Sequence, residues 1–244
     1  MNKFKIKLEY DGTNYVGWQS QDNGISIQEC IEIAIKKLTN ENVRVYGAGR
    51  TDAGVHALEQ VAHFEINKDI KTENIRDGLN QHLKPNTIAI INAEKVDDNF
   101  HARFSAKLRS YEYRVINRRT PLTIDLNRAW CVYKQLNVDK IVNEASSFLG
   151  EHDFESFRSS NCQSSKTIKN LKSFDIKYKN DNLFFNITAK SFLHSQVRIM
   201  VGTLIDIGKG VIDKSLVEIL NAKKRSLAGT TAPACGLYLK KIYY

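Results

Sequence analysis

Gly47-Ala48-Gly49-Arg50-Thr51-Asp52-Ala53-Gly54-Val55-His56 lies between two β-prone runs, residues 43–48 and 60–66. Glycines at 47, 49 and 54 let a backbone turn tightly and approach a ligand closely. A loop built this way can aim one carboxylate and one guanidinium, two residues apart, into a cleft. Residues that touch ligands concentrate on loops held by a rigid scaffold. Turn capping by Asp52 and a surface ion pair by Arg50 are the structural alternatives.

Working outward, the two runs become the central strands of a β-α-β-β-α-β unit. Phe4-Lys5-Ile6-Lys7-Leu8-Glu9-Tyr10 alternates at period 2 and predicts the first strand. Ser26-Ile27-Gln28-Glu29 has capping-box form. Behind it, Ile27, Cys30, Ile31, Ala34, Ile35 and Leu38 follow helical spacing. Thr72 is expected to cap a second helix carrying Ile75, Leu79 and Leu83, ended by Pro85, and residues 87–96 close the unit as a strand.

The second half repeats the order of elements without evident sequence identity. Residues 108–117 predict a strand with Tyr111, Tyr113 and Val115 on one face. Val138, Ile141, Val142, Ala145, Phe148 and Leu149 predict a helix capped by Asn137, with Gly150 just past its end. Residues 168–178 and 183–189 flank the turn Lys179-Asn180-Asp181-Asn182. Val197, Met200, Val201, Leu204 and Ile205 predict a helix stopped by Gly208 and Gly210. A short helix near 216–220 and a strand over 236–242 follow. The expected class is α+β: two ferredoxin-like halves, 1–105 and 106–244, forming a broad mixed or antiparallel sheet backed by helices, with a central cleft. Sheets of this kind commonly present a face to nucleic acid.

Charge is divided unevenly between those halves. Residues 1–100 hold 12 Lys/Arg against 15 Asp/Glu, net −3, and residues 101–244 hold 24 against 12, net +12, giving +9 in all. Arg103, Lys107, Arg109, Arg114, Arg118 and Arg119 are interleaved with Phe104, Tyr111 and Tyr113, and a second basic cluster is Lys223-Lys224-Arg225. Basic clusters bind polyanions by displacing counterions, and aromatic rings stack on bases, so nucleic acid is the expected partner. Cys30, Cys131, Cys162 and Cys235 are far apart, with no Cys-x-x-Cys pair, which favours a reducing cytoplasmic setting over disulfides or zinc. No metal site and no membrane span are expected.

The loop also resembles the signature of the tRNA pseudouridine synthase A family, and four further stretches match that family in order. They are Leu8-Glu9-Tyr10-Asp11-Gly12-Thr13-Asn14-Tyr15-Val16-Gly17-Trp18-Gln19; Phe100-His101-Ala102-Arg103-Phe104-Ser105-Ala106 with Tyr111-Glu112-Tyr113; Phe192-Leu193-His194-Ser195-Gln196-Val197-Arg198-Ile199-Met200-Val201-Gly202; and Ala232-Pro233-Ala234-Cys235-Gly236-Leu237-Tyr238-Leu239. The resemblance implies isomerisation of uridine to pseudouridine at positions 38, 39 and 40 of the tRNA anticodon stem-loop, by a homodimer with no cofactor. It implies Asp52 as the catalytic aspartate, Tyr111 as the aromatic against the target base, Arg198 as the basic active-site residue and Leu237 as part of the pocket wall. Glu59 and Ser195-Gln196 depart from the family pattern, with consequences expected for local packing only.

The chemistry suits these residue types. Cleaving the bond from ribose C1′ to base N1 needs a carboxylate near C1′, as in glycoside cleavage. Asp52 can supply it, by attack on C1′ or by removing a ribose proton. A carboxylate in a closed pocket tends to be neutralised unless a cation is near, and Arg198 is the candidate cation. The nucleotide must leave its stem, at a cost of a few kcal/mol that stacking on Tyr111 and phosphate contacts can offset. Arg50 is expected to contact RNA or help open the stem, and His194 to pack rather than react. A non-catalytic RNA-binding module and a metal-dependent phosphoester hydrolase are the rival readings.

Overall fold

Parity along the first strand builds the N-terminal core. In the computed structural model, which describes residues 1–160, 162 and 164–244, β1 (Asn2–Tyr10) turns Phe4, Ile6, Leu8 and Tyr10 to a buried face. Helix α1 (Ile27–Thr39) starts where expected, with the Ser26 side chain accepting from Glu29 N, and buries Ile27, Ile31 and Ile35 completely. Each such side chain contributes about 1.5–3 kcal/mol on leaving water. The run at 43–48 forms only β2 (Tyr46–Gly47), because Val45 N donates to the Glu32 carboxylate instead of to a strand. β3 (His56–Ile66), α2 (Thr72–Leu83) and β4 (Ile88–Lys95) follow. Thr72 opens α2 rather than capping it. Lys71 is the cap, with no side-chain hydrogen bond.

β1 is antiparallel to both β3 and β4, and β2 is antiparallel to β3, giving the order β4-β1-β3-β2 of a ferredoxin-like unit. The opposite face of β1 is charged. Lys3 pairs with Glu65 at 3.0 Å, Lys5 with Glu94, and Lys7 with Glu59 at 3.1 Å. Glu59, the residue that departs from the family pattern, is thus one half of a cross-strand pair. This face is also partly covered: Phe100 and Tyr244 both lie 5.4 Å from the Lys5 ammonium.

A second compact unit covers Leu108–Leu237. β5 (Leu108–Asn117) has the bounds expected from sequence. β6 (Trp130–Val132) runs parallel to it. Helix α3 (Val138–Ala145), with Asn137 Oδ1 accepting from Lys140 N, gives way to a 3-10 turn at Ser146–Phe148. The expected helix is therefore shorter, and Leu149 is exposed. β7 (Gly150–Asp153), β8 (Ile168–Lys179) and β9 (Asn182–Ala189) complete the antiparallel order β5-β9-β8-β7. α4 (Gln196–Gly208) and α5 (Leu216–Ala222) follow.

The final strand, β10 (Leu237–Tyr243), returns to the first unit. Its Tyr238 and Leu239 pair in parallel with His56 and Ala57 of β3, and residues Tyr238–Tyr244 belong to the unit Met1–Lys107. No helix among the described residues is long and apolar enough to cross a membrane.

Two side chains of the cluster at 223–225 make contacts within the fold. Lys223 ends α5 and reaches Asp153 at 3.0 Å. Arg225 donates to the carbonyls of Ala228 and Gly229 and to Thr231 Oγ1. Arg225→Gln is expected to lower stability by about 1–3 kcal/mol, read from the urea midpoint, because charged donors satisfy these acceptors.

Candidate active site

The loop carrying Asp52 is held through its backbone. Trp18 N donates to Thr51 O at 3.0 Å, Gly17 and Asp52 form an isolated antiparallel bridge, and Val55 N donates to Asp52 O at 3.2 Å. Below it, the buried Gln60 side chain donates to Gly49 O at 2.8 Å, and Ala48 N donates to Val61 O at 2.8 Å. Tyr10 and Thr51 share a buried hydroxyl hydrogen bond of 2.8 Å. Gly17 has φ +113°, and a Cβ there would lie 2.5 Å from Thr51 O, so no other residue type allows this approach without displacing the loop.

His56 anchors the loop's exit. It is buried, its Nδ1 accepts from Gly12 N at 3.0 Å and lies 3.2 Å from Asp11 Oδ1, and its ring stacks on Tyr238 at 4.7 Å. Asp52 is half-buried. Arg50 is exposed and forms no ion pair with an acid among the described residues.

Tyr111, Arg198 and Leu237 belong to the second unit. Tyr111 lies opposite Ile187 on the face of β5 that also carries buried Tyr113 and Val115. It is half-buried, with Phe192 edge-on at 5.2 Å. Every residue of α4 is buried except Arg198, so the helix is a core element with one basic side chain at its margin. Arg198 is fixed twice: its carbonyl accepts from Ala232 N at 3.1 Å, and its Nε donates to Ala232 O at 2.8 Å. A Cβ on Gly202 would lie 1.8 Å from Thr230 O, so that glycine permits the close packing of α4 on this segment.

Tyr113 donates its hydroxyl to Pro233 O at 2.7 Å. Burial pushes the Tyr113 hydroxyl well above its ordinary pKa and raises the Cys235 thiol, while Arg198 pulls both the other way. Leu237 is buried, directly after a 3-10 turn at Ala234–Gly236. Gln196 explains the other departure from the family pattern. Fully buried, it accepts from Leu193 N at 2.8 Å and closes the turn before α4, where Ser195 is left-handed with φ +57°.

Sequence reading singled out Asp52, Arg50, Tyr111, Arg198 and Leu237 but gave no role to Gly17, His56 or Gln60, which hold the loop. Gln60, polar within an apolar run, is the signal that was available.

These features accompany a match to the pseudouridine synthases, a class of RNA-modifying isomerases. The tRNA pseudouridine synthase profile matches residues 7–105 and 145–244, and the chain belongs to that family, which isomerises uridine to pseudouridine in tRNA. Relatives named tRNA pseudouridine synthase A include one from Ehrlichia ruminantium (strain Gardel), 50% identical over 99% of both chains. Another, from Wolbachia pipientis wMel, is 48% identical over 99% of this chain and 100% of its own. A third, from Maricaulis maris (strain MCS10), is 46% identical over 100% of this chain and 98% of its own. Among solved structures, a chain of a Cbf5-Nop10-Gar1 complex matches with 10% identity and a TM-score of 0.37, covering 96% of this chain and 57% of that one, too low to bear on the chemistry.

Proposed function

We propose that this enzyme modifies uridines 38, 39 and 40 of the tRNA anticodon stem-loop, with the Asp52 carboxylate acting at C1′ of a flipped-out nucleotide. The observation that supports this most is the backbone clamp on the loop. Preorganised carboxylates lower the barrier to breaking a glycosidic bond, and this one is held by contacts that do not depend on its own side chain. Tyr111 stacks on the extruded base, Arg198 supplies positive charge, Leu237 walls the pocket and Arg50 engages the RNA. The enzyme works as a cytoplasmic homodimer without a cofactor.

Mapping pseudouridine in tRNA treated with the purified protein tests the positions, and a product confined to another arm of the tRNA would refute them. For Tyr111 the expected order is that Phe retains most activity and Ala loses about tenfold or more in kcat/KM, since stacking is worth roughly 1–3 kcal/mol per base. Equal losses in the two variants would assign the role to the hydroxyl instead.

A further inference from the structure

Phe104 is 75% exposed, yet it sits on a cluster of rings. His101 lies 4.4 Å from it, His63 lies 4.6 Å from His101, and Tyr46, 48% exposed, stacks on His63 at 5.2 Å. The Arg103 guanidinium lies 5.7 Å from the Phe104 centroid. We propose that Phe104, with Arg103 and the ring cluster beneath it, is a platform for an unpaired tRNA base other than the reacting uridine.

The backbone under the ring is fixed. Ser105 N donates to His101 O at 2.9 Å, His101 N to Ser105 Oγ at 3.0 Å, and Arg103 N to His101 Nδ1 at 3.1 Å. Ala102 N donates to His63 Nδ1 at 3.2 Å, and Tyr244 donates its hydroxyl to Ala102 O at 2.8 Å. A large apolar ring held rigidly in water gains by being covered, and a rigid ring loses little entropy on binding. Burial and the neighbouring His101 hold His63 down at about 4, and burial also lowers His101, so both imidazoles are shifted toward their neutral form.

The occupant follows from charge and substrate. A guanidinium against an exposed aromatic matches a base attached to a phosphate, and the family's substrate is tRNA. His63 is seven positions along β3 from His56, about 23 Å at the rise of a strand. Asp52 lies at the His56 end, linked through Val55, so a base on Phe104 is not the one whose C1′ meets Asp52.

The inference rests on the tRNA substrate and not on the role of Asp52. Its test is equilibrium binding of an unmodified tRNA transcript, with sedimentation of each variant without RNA. Phe104→Ala is expected to weaken binding about tenfold, with kcat at saturating tRNA within about twofold. Phe104→Tyr, which keeps the ring, is expected to restore affinity, and the oligomeric state to stay as in the parent protein. Unchanged affinity in the alanine variant, no recovery with tyrosine, or dissociation into smaller species would overturn it, the last by making the ring a subunit contact.

Discussion

Asp52→Asn is expected to reduce pseudouridine formation at least a thousandfold, about 4 kcal/mol of barrier, while tRNA affinity stays within about threefold. The size follows from what the substitution removes. Asparagine has nearly the shape of aspartate but neither its charge nor its ability to bond to or deprotonate the sugar. The size of the binding change follows from what the substitution leaves. The loop is held by the Thr51 carbonyl, the bridge to Gly17 and the Asp52 carbonyl, all backbone groups that asparagine keeps. Tritium release from C5-labelled tRNA, paired with filter binding, reads both quantities. Release at the parent rate would remove Asp52 from the mechanism.

Gly17→Ala should be the most damaging substitution outside the reacting groups. Alanine at φ +113° is strained by about 1–3 kcal/mol, and its Cβ meets a backbone oxygen that can move only with the loop. Because a displacement near 1 Å can cost about a hundredfold in rate, kcat is expected to fall by roughly that factor with tRNA binding largely retained. Gly210→Ala is the control. Gly210 has φ +68° but open space around its Cβ, so its variant should lose stability alone and keep the parent kcat. Equal kcat in the Gly17 variant and the parent would show that the loop tolerates movement.

Much of this was readable from residue order. Alternation fixed β1 and β5, and helical spacing fixed α1 and the core stripe of α2, because each buries one regular face. What escaped were elements with no room for a period, β6 with three residues and β7 with four, while the strand expected over 43–48 kept only two residues. The loop's glycines marked Asp52, but its clamp depends on partners more than thirty residues away, Trp18 against Thr51 and Gly12 against His56, which no local pattern encodes. In the cluster 223–225, composition suggests a surface for polyanions, and the structure adds that Arg225 donates to three acceptors of its own loop, which residue order did not show.

The pairing of Tyr238 with His56 has a bearing on how the protein is made. On the ribosome, the N-terminal unit emerges early but waits for its last strand until all of Leu108–Leu237 has been translated. Until then the imidazole at the exit of the Asp52 loop lacks its stacking partner. A nascent chain halted before Tyr238 therefore carries the Asp52 loop without the ring contact that the finished protein gives its exit.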